Sequence, residues 1–431
     1  MNELHSAVRD GSTERTVAVL SKGMINVDEG DRLGVTALMH AASSGHSRIV
    51  RILLNKGASV AMVDVFGSTA LHWTAQGGHI AVTKLLVKAG ANVEAKICTG
   101  STPLQRAAYG GHSEVVRVLI DAGANPNCRL FDGSTPLYSA ALLGHVDAVK
   151  VLLRAKANPL LTYSDTSGKT HVPLDAAAKS GHVEVARELI QKCGIEGCGG
   201  ASGGVSALRG AAETQQVEMM ELLTSAGVAD AGIVRTSAGV ADTGSALRAA
   251  ARSGQEASVK FLLQQQERSS GGQGADYLDT LDPFGATPLV CSIQACRSSS
   301  PRIARMLMDA GADSTTAVRL LDARGAAVFF DTPLALAESS LRYKKVREKY
   351  STESQLHSLE ATRRLLLRAE AVHAVSWLWA SDVPSVTHAA ATAEGAGKTK
   401  AAKTPLIFML PTLRRRAGRP RVLLASLFRW A

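Results

Sequence analysis

Aromatic residues make up only 4% of this 431-residue chain. That scarcity fits a core assembled from Ala, Leu and Val. The six cysteines are scattered without the spacing of a disulfide framework, which favours a reducing compartment. The opening MNELHSAVRDG has no apolar signal region. No stretch reaches the ~18 apolar residues of a membrane span, since PLIFMLP and VLLASLF are short and separated by RRRAGRPR. The expectation is a soluble intracellular protein of the cytoplasm, the nucleus or both. Acidic residues are missing altogether from Gly395 to Ala431, where nine Lys and Arg fall. The net charge of +10 therefore belongs to that segment, and the residues before it sit near +1. No Ser/His/Asp set, paired carboxylates or cofactor motif stands out, so the sequence reads as non-enzymatic and free of cofactors.

Repetition is what the chain has in abundance. GVTALMHAASSGH from Gly34, GSTALHWTAQGGH from Gly67, GSTPLQRAAYGGH from Gly100 and GSTPLYSAALLGH from Gly133 recur every 33 residues. Self-similarity at that period marks one supersecondary unit stacked into a solenoid. Thr36, Thr69, Thr102 and Thr135 stand where a helix N-cap is wanted. Ala or Pro follows at the first helical position, where proline's missing N–H is tolerated. A Gly-His pair ends this helix at Gly45, Gly78, Gly111 and Gly144, glycine accepting the left-handed conformation. The second helix, with Ile49, Val50, Ile52, Leu53 and Leu54 in the first copy, is apolar on more than one face. Only neighbours above and below can bury so wide a surface. Gly57, Gly90 and Gly123 stop it; Lys156 stands in that place in the fourth copy, where a left-handed lysine predicts a local irregularity.

These copies resemble the ankyrin repeat: G-x-T-P-L-H-x-A-A-x-x-G-H, an apolar helix, then L-L-x-x-G-A. The resemblance implies an all-α solenoid of helix-turn-helix units linked by β-hairpin loops. It also implies that the histidine of each Gly-His pair bonds backbone in the loop. Only His72 keeps the histidine of the TPLH motif; Met39, Gln105 and Tyr138 replace it, and Gln105 can still reach back in a capping box.

Regularity decays along the chain. The signature leucine falls at Leu38, Leu71, Leu104, Leu137, Leu174, Leu208, Leu247, Leu289 and Leu334, its spacing widening from 33 to 45. The expected organisation is a capping half-repeat over 1–33, with Leu4, Ala7, Val8, Val17, Val19 and Leu20 as its apolar set, and five regular repeats over 34–193. Diverged repeats over 204–372 and a basic, disordered tail over 373–431 follow. Gly/Ser/Ala-rich stretches at 194–204, 229–244 and 264–276 read as loops. Repeats past residue 204 have lost Gly-His, which puts their pairing geometry in doubt.

Several features invite a chemical reading. The five Gly-His pairs sit one repeat apart, whereas metal ligands must converge on one ion. TAEGAGKT, Thr392 to Thr399, lacks the first glycine of a phosphate-binding loop and the strand before it. Cys193 with Cys198, and Cys291 with Cys296, lack a second pair to complete a zinc site. In the tail, Arg414, Arg415, Arg416, Arg419 and Arg421 resemble an AT-hook, with Ala417 in place of the core's first arginine. A DNA arm, an import signal or phosphate contact, and no dedicated role all stand as readings of that cluster.

In the family the hairpin tips and the exposed side of the first helix form a concave face on which partners dock. Carried over by position, the tips supply Arg32, Leu33 and Val35; Val65, Phe66 and Ser68; Thr99; and Phe131. The first helices add Trp73, Gln76, Arg106, Tyr109, Leu142, Leu143 and Lys179. Phe66, Trp73, Tyr109 and Phe131 weigh most, because such residues are enriched among interface hot spots. Trp73 has a second reading, packing against the next repeat's helix. The function implied is a scaffold or adaptor that binds a protein partner. The alternative is a nucleic-acid- or chromatin-associated factor acting through the tail. Neither the partner's identity nor an oligomeric state is written in the sequence.

Overall fold

The structure, a computed structural model, describes residues 3–22, 25–165, 168, 170–228, 246–270, 278–279, 281, 286–315, 318–321, 327–330, 332–346 and 353–381. Helix pairs follow one another along it. The first is α1 (Glu3–Arg9) with α2 (Thr13–Ser21). Four 33-residue units supply α3 (Ala37–Ser43) and α4 (Ser47–Asn55), α5 (Ala70–Gly77) and α6 (Ile80–Lys88), α7 (Pro103–Tyr109) and α8 (Ser113–Asp121), then α9 (Pro136–Leu143) and α10 (Val146–Arg154). A sixth pair, α11 (Pro173–Ser180) and α12 (Val183–Cys193), follows the short hairpin β1 (Tyr163–Ser164) and β2 (Thr170–His171). Beyond it come α13 (Gly200–Glu213) with α14 (Val217–Ser225), α15 (Ala246–Ser253) with α16 (Glu256–Ser270), and α17 (Pro288–Ala295) with α18 (Ser300–Asp309). The antiparallel hairpin β3 (Val318–Leu321) and β4 (Ala327–Phe330) leads to α19 (Pro333–Val346) and α20 (Glu353–Ser381).

The first helices begin at the expected hydroxyls. Thr36, Thr102 and Thr135 accept from the amides of Met39, Gln105 and Tyr138 at 3.3, 3.4 and 3.2 Å. All nine signature leucines are buried, and with the helix alanines they form one continuous core cluster. A solenoid buries each unit's apolar surface against its neighbours in this way.

Each Gly-His pair ties two repeats together. Gly78 ends α5 at φ 73°, and a Cβ there would lie 2.5 Å from Nδ1 of His112 in the next repeat. The Nε2 of His112 donates to the carbonyl of Gln76 at 2.9 Å. His79 reaches Ser43, His145 reaches Tyr109 and His182 reaches Leu142 in the same way, at 2.9, 2.9 and 3.1 Å. The bond runs to the preceding repeat, so this histidine is a clasp between units. At the start of the stack, His46 packs its ring against Gly11.

The pairing geometry survives the loss of Gly-His past residue 204. Gln216 lays its carboxamide over Gly181 as His182 does over Gly144, and Gln215 takes the left-handed turn at φ 61°. Gln255 Nε2 donates to the carbonyl of Glu213 at 3.2 Å, and Ser299 Oγ donates to Gly254 at 2.8 Å. A carboxamide N–H or a hydroxyl replaces the imidazole donor, so the contact outlives the motif.

Four other expectations need correction. Lys156 does adopt φ 62°, but the turn stays regular: its amide bonds Leu153 and that of Ala157 bonds Leu152, both at 3.0 Å. No atom lies within 4 Å of the Cβ position at the equivalent Gly57, Gly90 and Gly123, so only the backbone pays for a side chain there. The glycine-rich stretch 194–204 is largely helical, forming a short 3₁₀ turn (Glu196–Cys198) and the start of α13. Its glycines allow close packing, because a Cβ on Gly203 or Gly204 would sit 2.8 Å from Cys198 O or Val228 Cγ2. Residues 264–270 likewise continue α16, while 229–244 and 271–276 lie outside the described residues. In α2 the inward stripe is Thr16, Val19 and Leu20, which leaves Val17 exposed.

The chain divides into two units, residues 1–372 and 373–431. In the second, residues 373–381 are described, and they are helical. Among the described residues no helix is long and apolar enough to cross a membrane.

Candidate functional site

The first two tips between repeats are built around a carboxylate. Asp31 accepts the amides of Leu33 and Val35 on Oδ1, at 2.8 and 3.1 Å. Burial works to raise its pKa, but those two bonds and the neighbouring His40 hold the carboxyl below its usual range. Asp64 repeats the motif with the amides of Phe66 and Ser68, at 2.9 and 2.8 Å. Tips then join edge to edge through backbone bonds: Val65 donates to Leu33 at 3.0 Å, Cys98 to Phe66 at 2.9 Å and Ser164 to Asp132 at 3.2 Å. On the other side of each loop, Asp28, Glu94 and Asn127 accept the amides of Ser59, Asn125 and Asn158 from the following repeat. With the backbone fixed on both sides, the tip side chains stand at set positions.

Most of the residues singled out from the sequence are exposed there. Arg32, Leu33, Val65, Phe66, Thr99 and Phe131 project from the tips, with Phe66 55% and Phe131 82% exposed. The ring of Phe131 lies along the neighbouring tip, 3.3 Å from where a Cβ on Gly100 would be. Gln76, Tyr109, Leu142, Leu143 and Lys179 are exposed at the ends of the first helices, and Tyr109 is 62% exposed. Gln76, Tyr109 and Leu142 are equivalent positions, and their carbonyls are the ones the histidine clasps hold.

Four positions behave differently. Ser68 is buried, its amide turned to Asp64, so it is no part of an exposed face. Val35 is half-buried against the core. Trp73 is half-buried and donates its indole N–H to Asp64 Oδ2 at 3.2 Å. It braces the tip of its own repeat and packs against the core. His40 does the same for Asp31, at 3.3 Å. The signal was in the sequence: Asp31 with His40 and Asp64 with Trp73 share a nine-residue spacing. In the next two copies Ile97 with Arg106 and Leu130 with Ser139 lose both members together. Arg106, half-buried, reaches back to Gln76 Oε1 at 3.0 Å.

Behind the face, the N3 position of two first helices links consecutive repeats. His72 Nδ1 accepts from the Thr69 amide at 3.2 Å, and its Nε2 donates to the carbonyl of Ser101 at 3.2 Å. Burial lowers its pKa to about 4, aided by the Arg106 cation, and keeps the ring neutral. Gln105 makes the same two bonds, to the Thr102 amide and Ser134 carbonyl, at 3.3 and 3.0 Å. Met39 and Tyr138 lack that pair, and Tyr138 instead stacks on Tyr163 with centroids 4.9 Å apart.

The remaining chemical candidates resolve unevenly. Cys193 and Cys198 are free thiols, and burial raises the pKa of both, that of Cys198 to about 12. No group of three or more His, Cys, Asp and Glu suited to a metal occurs among the described residues. Thr392 to Thr399 and the cluster Arg414, Arg415, Arg416, Arg419 and Arg421 lie outside the described residues.

A family model of ankyrin repeats matches residues 2–64, 59–130, 91–163 and 121–201. Its matches run without a gap from the first helix pair through the sixth, the same span in which the tips and histidine clasps recur. With their stacked helix pairs and hairpin loops, residues 2–201 are ankyrin repeats.

Proposed function

We propose that the protein is a non-enzymatic scaffold or adaptor that holds a protein partner against the tips and first-helix ends of its regular repeats. Ankyrin repeats are in general protein–protein interaction modules. The observation that carries the reading is a run of exposed apolar side chains on adjacent repeats: Leu33, Val65, Phe66, Tyr109, Phe131, Leu142 and Leu143. Burying one such side chain is worth about 1.5–3 kcal/mol, and contiguous apolar patches on a soluble surface mark interaction sites. The fixed backbone beneath adds affinity, because little ordering is left for the partner to impose.

A photo-crosslinking residue placed at Tyr109 or Phe131 tests the proposal. It is expected to yield one discrete protein adduct in cells. Adducts no different from those formed by the same residue at Arg117, on the outer side of α8, would refute it.

A further inference from the structure

Four arginines converge far from that face. Arg302 and Arg305 lie on α18 and Arg364 and Arg368 on α20, and together they line an open groove of about 290 Å³. Its floor is apolar, made by Pro301, Ala361 and Leu365. The walls are anchored from behind. Ile303, Ala304 and Leu307 bury one side of α18, while Ser358, Leu359, Thr362 and Leu366 bury one side of α20. The arginines are therefore held in two facing rows by well-packed helices.

One of the four is ion-paired among the described residues. Arg302 is 3.4 Å from Glu256. Among the described residues, Arg305, Arg364 and Arg368 have no acidic partner, although nearby Arg363 is paired with Glu338. Arg364 and Arg368 are four residues apart and Arg302 and Arg305 three apart, spacings at which like charges on a helix repel. The chain's own terminal segment, residues 395–431, has no Asp or Glu and is itself cationic, so charge excludes it as the occupant.

We infer that this groove is a second binding site, one that takes an acidic peptide segment of a protein partner in which an apolar residue sits between carboxylates. Guanidinium forks are shaped for two-pronged pairing with carboxylates. Rows on both walls require acidic groups on both sides of the ligand, and the apolar floor requires a hydrophobic side chain between them. Single-stranded nucleic acid would call for aromatic stacking platforms, and none lines the groove.

The test uses the full-length protein and a fluorescein-labelled peptide of Glu pairs separated by single Leu residues, read by fluorescence anisotropy. Binding that weakens with salt, and at least tenfold in R305E/R368E with helicity and melting unchanged, is expected. A peptide with Ser in place of Leu should bind several-fold more weakly. Equal binding by the variant would overturn the proposal. So would groove-dependent binding of oligo-dT, or of vesicles containing an anionic phospholipid, in preference to the peptide. If the reversal unfolds the end of the chain, R305Q/R368Q is read in its place, with a loss of at least several-fold expected and equal binding again overturning the inference.

Discussion

His72→Gln isolates the role of one buried imidazole. In the folded chain burial lowers the His72 pKa to about 4, from an ordinary value of 6.5. A lowered pKa means that folding favours the neutral ring. Its contribution is fully present above pH 6.5 and is lost as pH falls toward 4. Acidification from pH 7.5 to 4.5 should therefore remove about 2–3 kcal/mol. Gln105 shows that a carboxamide makes the same two bonds one repeat later. His72→Gln is expected to match the wild type within about 0.5–1 kcal/mol at pH 7.5. At pH 4.5 it should exceed the wild type by about 2–3 kcal/mol. His72→Ala strands the buried Thr69 amide and leaves the Ser101 carbonyl with the Ile97 amide alone, and should cost about 1–3 kcal/mol at pH 7.5. The assay is urea unfolding followed by helical circular dichroism across that pH range. A Gln variant whose advantage does not change with pH, or one as unstable as the Ala variant at pH 7.5, would refute the reasoning.

Asp175 acts with the opposite sign. Burial raises its pKa to about 6 from 3.8, against the pull of the Val172 amide 3.1 Å away, so its stabilising form is protonated and is lost as pH rises from 3.8 through 6. Asp175→Asn should gain about 2–3 kcal/mol relative to the wild type between pH 4 and pH 7.5; the same unfolding series checks this, and a constant difference would contradict it. Lys156→Gly relieves about 1–2 kcal/mol of left-handed strain and loses about 0.5–1 kcal/mol to chain entropy. A modest rise in melting temperature follows, and a fall would show that the lysine side chain makes a compensating contact.

The regular repeats were legible because each element carries its own local signal. Threonine caps, proline at the first helical position and glycine stops are short-range chemistry, and they recur in register from Gly34 to Gly144. The signature leucines stayed readable into the diverged half because burial selects for size and apolarity alone. The clasp at Gln255 was not legible, because the donor is kept while the residue type changes, and neither was the packing of Gln216 over Gly181. Helix over 200–204 was hidden by composition: glycines usually mark loops, but here they let α13 approach Cys198 and Val228. At the candidate face, position in the repeat placed Phe66, Tyr109 and Phe131 correctly at the surface. Ser68 was misjudged, since its amide bonds an aspartate whose place in the tip geometry appears only in three dimensions; Trp73, which had two readings, packs half-buried against the core and bonds the same aspartate. The arginine groove left no local motif, for its rows lie on helices about 60 residues apart and only packing brings them together.

The proposed partner-binding face is tested most directly by Phe66→Ala, Tyr109→Ala and Phe131→Ala combined, compared in affinity capture and mass spectrometry with Arg51→Ala, Lys84→Ala and Arg117→Ala on the second helices. All six side chains are exposed, so both variants should melt with the wild type. The account predicts that a specific partner is lost from the first variant and kept by the second. Retention of that partner by the first variant, or its loss from both, would contradict it.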